Sequence, residues 1–244
     1  LMLLAFALYI FKSKEFAIYA TAVKEALFSR VKMRHIFGMG YPVAIQMGLE
    51  SSTFSFSAIM VGWIGVTALA AHQVAITISQ LFFLLMQGLS FAISILVSNC
   101  YGKRNFDGVN AYVKRGYLMI LCTSVFLSLT LYLFRNQAVG LFTDSPEVAK
   151  IAISLFFVLF AYQLGDGIQL CFANVLRGLQ DVKPIMYAAF VSYYIIAIPV
   201  AYVLGFKFGL GAVGVWIGFP VGLSLAGLFF FLRYRSDMRK FRRG

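Results

Sequence analysis

The sequence predicts an all-α, polytopic bundle of transmembrane helices, and three observations carry that prediction. Apolar runs of about 20 residues or more recur six times, each long enough to cross a bilayer's hydrocarbon core as a helix. Charged side chains are only 12% of the chain, hydrophobic ones are 61%, and the mean hydropathy is +0.85. A soluble domain carries about twice that charged fraction. Finally, the basic residues gather in alternate linkers, as they do in a chain threaded back and forth through a membrane.

The runs lie at 36–60, 71–99, 116–134, 151–176, 184–206 and 210–232. Short linkers separate them, so successive spans are expected to be antiparallel. Ahead of them, residues 1–11 are apolar but too short to cross alone. No basic segment precedes this stretch, no cleavage site follows it, and the chain opens on Leu1. It reads as the end of a preceding transmembrane helix in a longer protein. Residues 12–35 mix Phe16, Ile18, Val23, Leu27 and Val31 with six Lys or Arg, which suits a cytoplasmic linker carrying a helix on the membrane surface. Residues 36–232 then form a six-helix lobe, and 233–244 a basic cytoplasmic tail.

Charge orients the lobe. Eighteen of the 21 basic residues fall in the 12–35 linker, the loops around Lys103–Arg115 and Arg177–Lys183, and the tail. Arg135, Lys150 and Lys207 are the three on the other side. The positive-inside rule places the rich set, tail included, in the cytoplasm of a multi-pass plasma (inner) membrane protein. The net charge of +12 is thereby a topology signal; spread over four segments, it does not point to nucleic acid.

Seven of the nine acids lie in linkers or the tail, whereas Glu50 and Asp166 lie near the middle of predicted spans. A charge at mid-bilayer costs roughly 2.5–3.5 kcal/mol on insertion scales, so such residues face a cavity or the bundle interior. They either bind a moving ion or substrate, or stay neutral and tie helices together. Helical spacing puts Gln46, Met47, Phe54 and Ser57 beside Glu50, and Tyr162, Gln163, Gln169 and Ala173 beside Asp166. Amides, hydroxyls and aromatic rings around an acid suit a cavity that accepts cations and flat rings. No basic residue falls inside a predicted span.

Other features are structural or negative. Gly214, Gly218 and Gly222 form a doubled GxxxG, a helix-packing face. Pro199 and Pro220 interrupt their helices' hydrogen bonding, and Pro199 is a candidate hinge. Asp144-Ser145-Pro146-Glu147 reads as a helix start with Ser145 as cap. Cys100, Cys122 and Cys171 form no CxxC pair and read as packing residues. His35 and His72 lie at span edges without a second ligand at metal spacing, so no metal site is expected. No phosphate-binding loop, nucleophile elbow or zinc motif occurs, which argues against an enzyme and against direct ATP hydrolysis.

Several segments together resemble the multidrug and toxic compound extrusion (MATE) family, in its NorM-like branch. They are Gly40-Tyr41-Pro42 with Met47-Gly48-Leu49-Glu50, Ala70-Ala71-His72-Gln73-Val74, Leu141-Phe142-Thr143-Asp144, and the run YQLGDGIQLCFANVLRGLQDVKP from Tyr162 to Pro184. Their order and spacing cover nearly the whole chain. The resemblance implies the C-terminal lobe of a twelve-span, two-lobe transporter, with the N-terminal lobe of the same transporter as partner and a cavity between them. It implies an antiporter exporting small organic, cationic substrates against Na⁺ or H⁺, with no other cofactor. Glu50 and Asp166 match the positions at which NorM-like members bind the coupling cation. Two alternatives are a lipid-linked oligosaccharide flippase of the same superfamily, which usually carries more cationic residues inside the bundle, and a membrane-embedded enzyme, for which two acids are thin support.

Overall fold

The computed structural model describes Tyr9 and residues 29–241; the expected helix end at 1–11 and most of the 12–35 linker lie outside the described residues, as do Arg242 and Arg243. Among the described residues every regular element is helical. In chain order these are α1 (Arg30–Ile64), α2 (Val66–Gly102), α3 (Phe106–Leu133), the short α4 (Arg135–Gly140), α5 (Pro146–Gly178), α6 (Lys183–Lys207) and α7 (Gly211–Phe241). The first turns of α1, up to Tyr41, belong to a unit separate from Pro42–Gly244, and the packing described below is that of the second unit.

Five of the helices, α2, α3, α5, α6 and α7, are long and apolar enough to cross a membrane. They overrun the apolar runs at most ends because hydrogen bonding continues past the hydrocarbon boundary. α1 matches them in length, with 35 residues. It is more polar because Gln46, Glu50, Ser51, Ser52, Thr53, Ser55 and Ser57 crowd its second half. Its helix starts at Arg30, so 30–35 is the first turn and a half of a long helix.

The expected linker at 61–70 is reduced to one residue, Gly65, with φ 152° and ψ 164°. Only glycine takes that backbone conformation without strain. Trp63, Ile64, Val66 and Leu69 around it are apolar and helix-compatible, so nothing but the glycine marks the turn. From Gly65, α1 and α2 diverge as two arms: residues at matching distances from it, Phe54 and Ile76, Glu50 and Gln80, line one cavity between them.

α5 is the central helix and packs on α2, α3 and α7. Its second half is buried nearly all round, from Gly165 through Leu176. Two glycines flank Asp166 and let neighbours in: a Cβ on Gly165 would lie 2.9 Å from Ser224 Oγ of α7, and one on Gly167 2.5 Å from Ser124 Oγ of α3. The helix starts at Pro146 with Glu147 in its first turn. Ser145 holds the cap position, but its hydroxyl makes no cap bond; the Ser145 N–H instead donates to Thr143 Oγ1 at 3.2 Å.

α6 is not a uniform α-helix. It widens into π turns over Val191–Ala197 and again over Val203–Lys207, on either side of Ile198–Tyr202, which contains Pro199. Pro199 has no N–H, and in a regular α-helix its ring would press on the carbonyl of Ile195. A wider turn ahead of it relieves that contact, with Ile198 N–H reaching back five residues to the Tyr193 carbonyl. The glycine face of α7 packs here. A Cβ on Gly214 would fall 2.5 Å from the Leu204 carbonyl oxygen, one on Gly218 2.8 Å from that of Ala197, and one on Gly222 2.6 Å from Ala197 Cβ.

At the end of the bundle where α7 leaves the apolar region, Arg233 donates to Asp181 at 2.5 Å and lies 3.4 Å from Asp237, and Tyr234 donates to Asn110 at 2.7 Å. Rings of Phe106 and Phe241 stack at 5.0 Å beside them.

Candidate functional site

The cavity between the arms of α1 and α2 has a volume of about 370 Å³. α1 gives it Gln46, Met47, Glu50, Ser51 and Phe54, and α5 closes it with Tyr162, Gln169, Leu170, Ala173 and Arg177. Six of the residues expected beside the acids, Gln46, Met47, Phe54, Tyr162, Gln169 and Ala173, thus line one space. Ser57 and Gln163 do not: Ser57 is buried in the bundle, and Gln163 is buried with its amide away from the cavity lining. The helical face argument fails for these two because a bundle buries polar side chains on more than one flank of the same helix.

Glu50 is half-buried. Gln46 Nε2 donates to Glu50 Oε2 at 2.9 Å, and Arg177 donates in turn to Gln46 Oε1 at 2.6 Å and to Asn174 Oδ1 at 3.2 Å. The guanidinium also acts on the Glu50 carboxyl directly through its charge. The expectation of in-span acids without a basic neighbour is therefore corrected. Arg177 is one residue past the expected end of its span, where it counts as loop. Its long side chain reaches back along the apolar surface to the cavity.

A second space adjoins Glu50 on the side of α6 and α7. It is about 10 Å³, room for about one water-sized centre. Glu50, Thr53 and Tyr193 contribute oxygen-bearing side chains to it, and Phe54, Ala197, Phe219 and Leu223 the apolar remainder. Glu50 thus stands between a solvent-sized cavity and a small oxygen-lined pocket.

Asp166 is 1% exposed, and its Oδ2 has no hydrogen-bond partner among the described residues. The structure brings it into electrostatic reach of Glu50, and Tyr162 and Tyr193 are within reach of both carboxyls. The hydroxyl of Tyr193 and the Oε1 atoms of Gln163 and Gln169 are likewise buried without a partner there. Of these, Tyr193 and Gln169 lie beside the carboxyls, and buried oxygens so placed suit a cation, because an unmatched buried polar group is otherwise costly. Hard cations take oxygen ligands of this kind. Among the described residues no three His, Cys, Asp or Glu side chains group as a metal centre.

Aromatic rings form one wall. Phe54 stacks on Phe219 at 4.8 Å, Tyr162 meets both edge-on, and Trp216 meets Tyr162 and Phe219. Behind them His72, expected near a span edge, is fully buried and accepts a hydrogen bond at its Nδ1 from Trp216 Nε1 at 2.9 Å. It is therefore held as part of the aromatic wall.

Sequence reasoning missed Arg177, Tyr193, Thr53 and the whole α2 side of the cavity, which includes Ser79, Gln80, Phe83 and Gln87. A signal for α2 existed: Ser79, Gln80 and Gln87 are polar residues at helical spacing within an apolar run. Tyr193 carried none, since nothing in α6 distinguishes it from lipid-facing tyrosines.

Long apolar helices packed around an acid-bearing, half-polar cavity define a multi-pass α-helical membrane protein. The MatE family model matches residues 42–203, and the chain belongs to that family. It is 35% identical over 233 residues to the multidrug resistance protein NorM of Vibrio vulnificus strain YJ016, covering 93% of this chain and 50% of the relative. It is 37% identical over 207 residues to NorM of Aliivibrio fischeri, covering 82% and 44%. The eukaryotic MATE transporter AtDTX14 superposes with a TM-score of 0.82 at 23% identity, over 97% of this chain and 54% of its own. An outward-facing multidrug resistance MATE transporter gives 0.80 at 20%, over 88% and 49%. At those identities the structural likeness concerns the fold. The chain spans about half the length of the curated relatives it matches. These relatives are resistance and transport proteins, not enzymes.

Proposed function

We propose that this chain is the C-terminal lobe of a cation-coupled antiporter that exports small organic cations in exchange for Na⁺ or H⁺, working with an N-terminal lobe of the same protein. One observation carries the reading: the two acids inside apolar spans, far apart in sequence, share one buried polar cluster beside the main cavity. A carboxylate there needs a positive partner, whether a proton, a metal cation or a cationic substrate. These compete for the same oxygens, so loading one favours release of another. If the inward- and outward-facing packings differ in affinity for each, exchange follows from the population shift. The aromatic wall offers flat rings and cation–π surface to an organic cation. The lobe lies in the plasma (inner) membrane with its basic tail in the cytoplasm. The relatives lend no support to the flippase or enzyme readings.

The test is gradient-driven efflux from liposomes holding the full-length protein, under imposed Na⁺ or H⁺ gradients at matched protein levels. Glu50→Gln and Asp166→Asn keep size and most hydrogen bonding. Each should fold as the wild type and lower coupled export by about tenfold or more, the size of a typical coupling free energy. Wild-type rates with unchanged ion dependence in both variants would make the acids helix ties and overturn the assignment.

A further inference from the structure

Away from the cavity, the outer surface of α6 and α7 carries a cleft the antiport reading does not use. It is about 550 Å³ and is lined by Lys183, Pro184, Tyr187, Ala188 and Val191 of α6 and by Phe229, Phe230, Arg233 and Ser236 of α7. Ser236 also borders a second depression of about 340 Å³, lined by Leu232, Arg235, Arg239 and Lys240. Ser236 lines both, so the two spaces adjoin there as one interrupted groove.

Its chemistry is graded. α6 and α7 run antiparallel here, so Val191 and Phe229 lie at the membrane-side end and Lys183, Arg239 and Lys240 at the other. From Phe229 to Lys240 the groove covers about 16 Å along α7 at the α-helical rise. Over that length its walls change from Val191, Ala188 and Phe229, through Tyr187 and Ser236, to exposed Arg235, Arg239 and Lys240. Tyr187 and Phe229 are exposed rings, as expected where a groove opens to lipid. Among the described residues, no carboxylate lines either space. The nearby acids, Asp181 and Asp237, pair with Arg233, and Lys240 acts on Asp237 through its charge; Lys183, Arg239 and Lys240 form no close ion pair among the described residues.

We propose that this groove is a binding site for one anionic phospholipid of the leaflet on the basic side of the protein. The phosphate sits among Lys183, Arg239 and Lys240, the glycerol region at Tyr187 and Ser236, and an acyl chain against Val191, Ala188 and Phe229. Charge complementarity and the apolar-to-basic gradient together select the occupant. A soluble anion would leave the apolar half unmatched, a zwitterionic lipid would leave the cations uncompensated, and the basic residues of 12–35 would be repelled. Basic pockets between membrane helices at the cytoplasmic side recognise anionic head groups in this way.

The test is native mass spectrometry of the purified full-length protein, delipidated and then titrated with phosphatidylglycerol or phosphatidylcholine. The wild type should retain one phosphatidylglycerol saturably and prefer it to phosphatidylcholine by about tenfold, the ratio expected for about 1.4 kcal/mol. The triple variant Lys183→Gln, Arg239→Gln, Lys240→Gln should lose that preference, and Lys183→Arg with Arg239→Lys should keep it. The pair Lys114→Gln, Arg115→Gln, on α3, controls for generalised charge. Equal retention of both lipids by the wild type overturns the proposal, as does unchanged preference in the triple variant or an equal loss in the control pair. If glycerol phosphate displaces the lipid at similar concentration, the site reads only the phosphate and the acyl part of the proposal is wrong. Melting temperature in detergent without lipid, matched among variants, separates lost binding from lost fold.

Discussion

The α1 arm and the α5–α7 block are held in different ways. In the block, backbones approach closely: glycine Cβ positions on α5 and α7 fall within about 3 Å of neighbouring atoms, including main-chain carbonyls. On α1, by contrast, Gly48 has no heavy atom within 4 Å of its Cβ position. There the contacts are made by side-chain ends, through Gln46–Arg177, Ser52 and Phe56 against Tyr194, and Phe54 against Phe219. Close backbone packing gives one arrangement or none, because dense cores tolerate little shift. Contacts through flexible tips can be exchanged without unfolding. The block is thus a fixed frame, and the arm bearing Glu50 is the part free to take a second position.

Glycine substitutions should break this comparison most visibly. Gly218→Val should lower stability in detergent by about 1–3 kcal/mol or prevent assembly, since the clash is with a backbone oxygen that cannot rotate away. Gly48→Ala should leave stability unchanged or raise it by up to about 1 kcal/mol, from reduced backbone entropy, as read by the melting temperature. Equal losses from both would show that α1 is packed as tightly as the block. Next in size is Trp216→Phe. It leaves buried His72 Nδ1 without its donor and should cost about 1–3 kcal/mol in thermal unfolding. Smallest overall, but most local, is Arg177→Gln. It removes the tether from α5 to Gln46, so hydrogen exchange should quicken over residues 46–57 while α5 and α7 stay protected. Faster exchange throughout would mean that the arm and the block unfold together.

The fold was largely legible because lipid enforces it. Twenty-residue apolar runs and sorted Lys and Arg are direct consequences of crossing a bilayer, and six long helices stand where the runs do. Loops were less legible. Gly65 turns the chain within an apolar stretch, and the π turns near Pro199 change hydrogen-bond register without any change in composition. The site was half legible. Glu50 and Asp166 announced themselves by the cost of burying charge. Arg177 and Tyr193 did not, since an arginine at a span end and a tyrosine in a span are ordinary, and only the tertiary fold turns them toward the acids.

The single-residue joint at Gly65 sets a lever. Glu50 stands about 22 Å from it along α1, taking the α-helical rise over the intervening turns. Tilting that arm by about 10° at the joint carries the carboxylate about 4 Å, roughly the width of a hydrated side-chain gap, while Trp63 beside the pivot scarcely moves. The mechanical advantage lies wholly on the cavity side. A backbone change confined to one glycine is therefore enough to open or close the distance between Glu50 and Gln80, with no bend needed anywhere else in either helix.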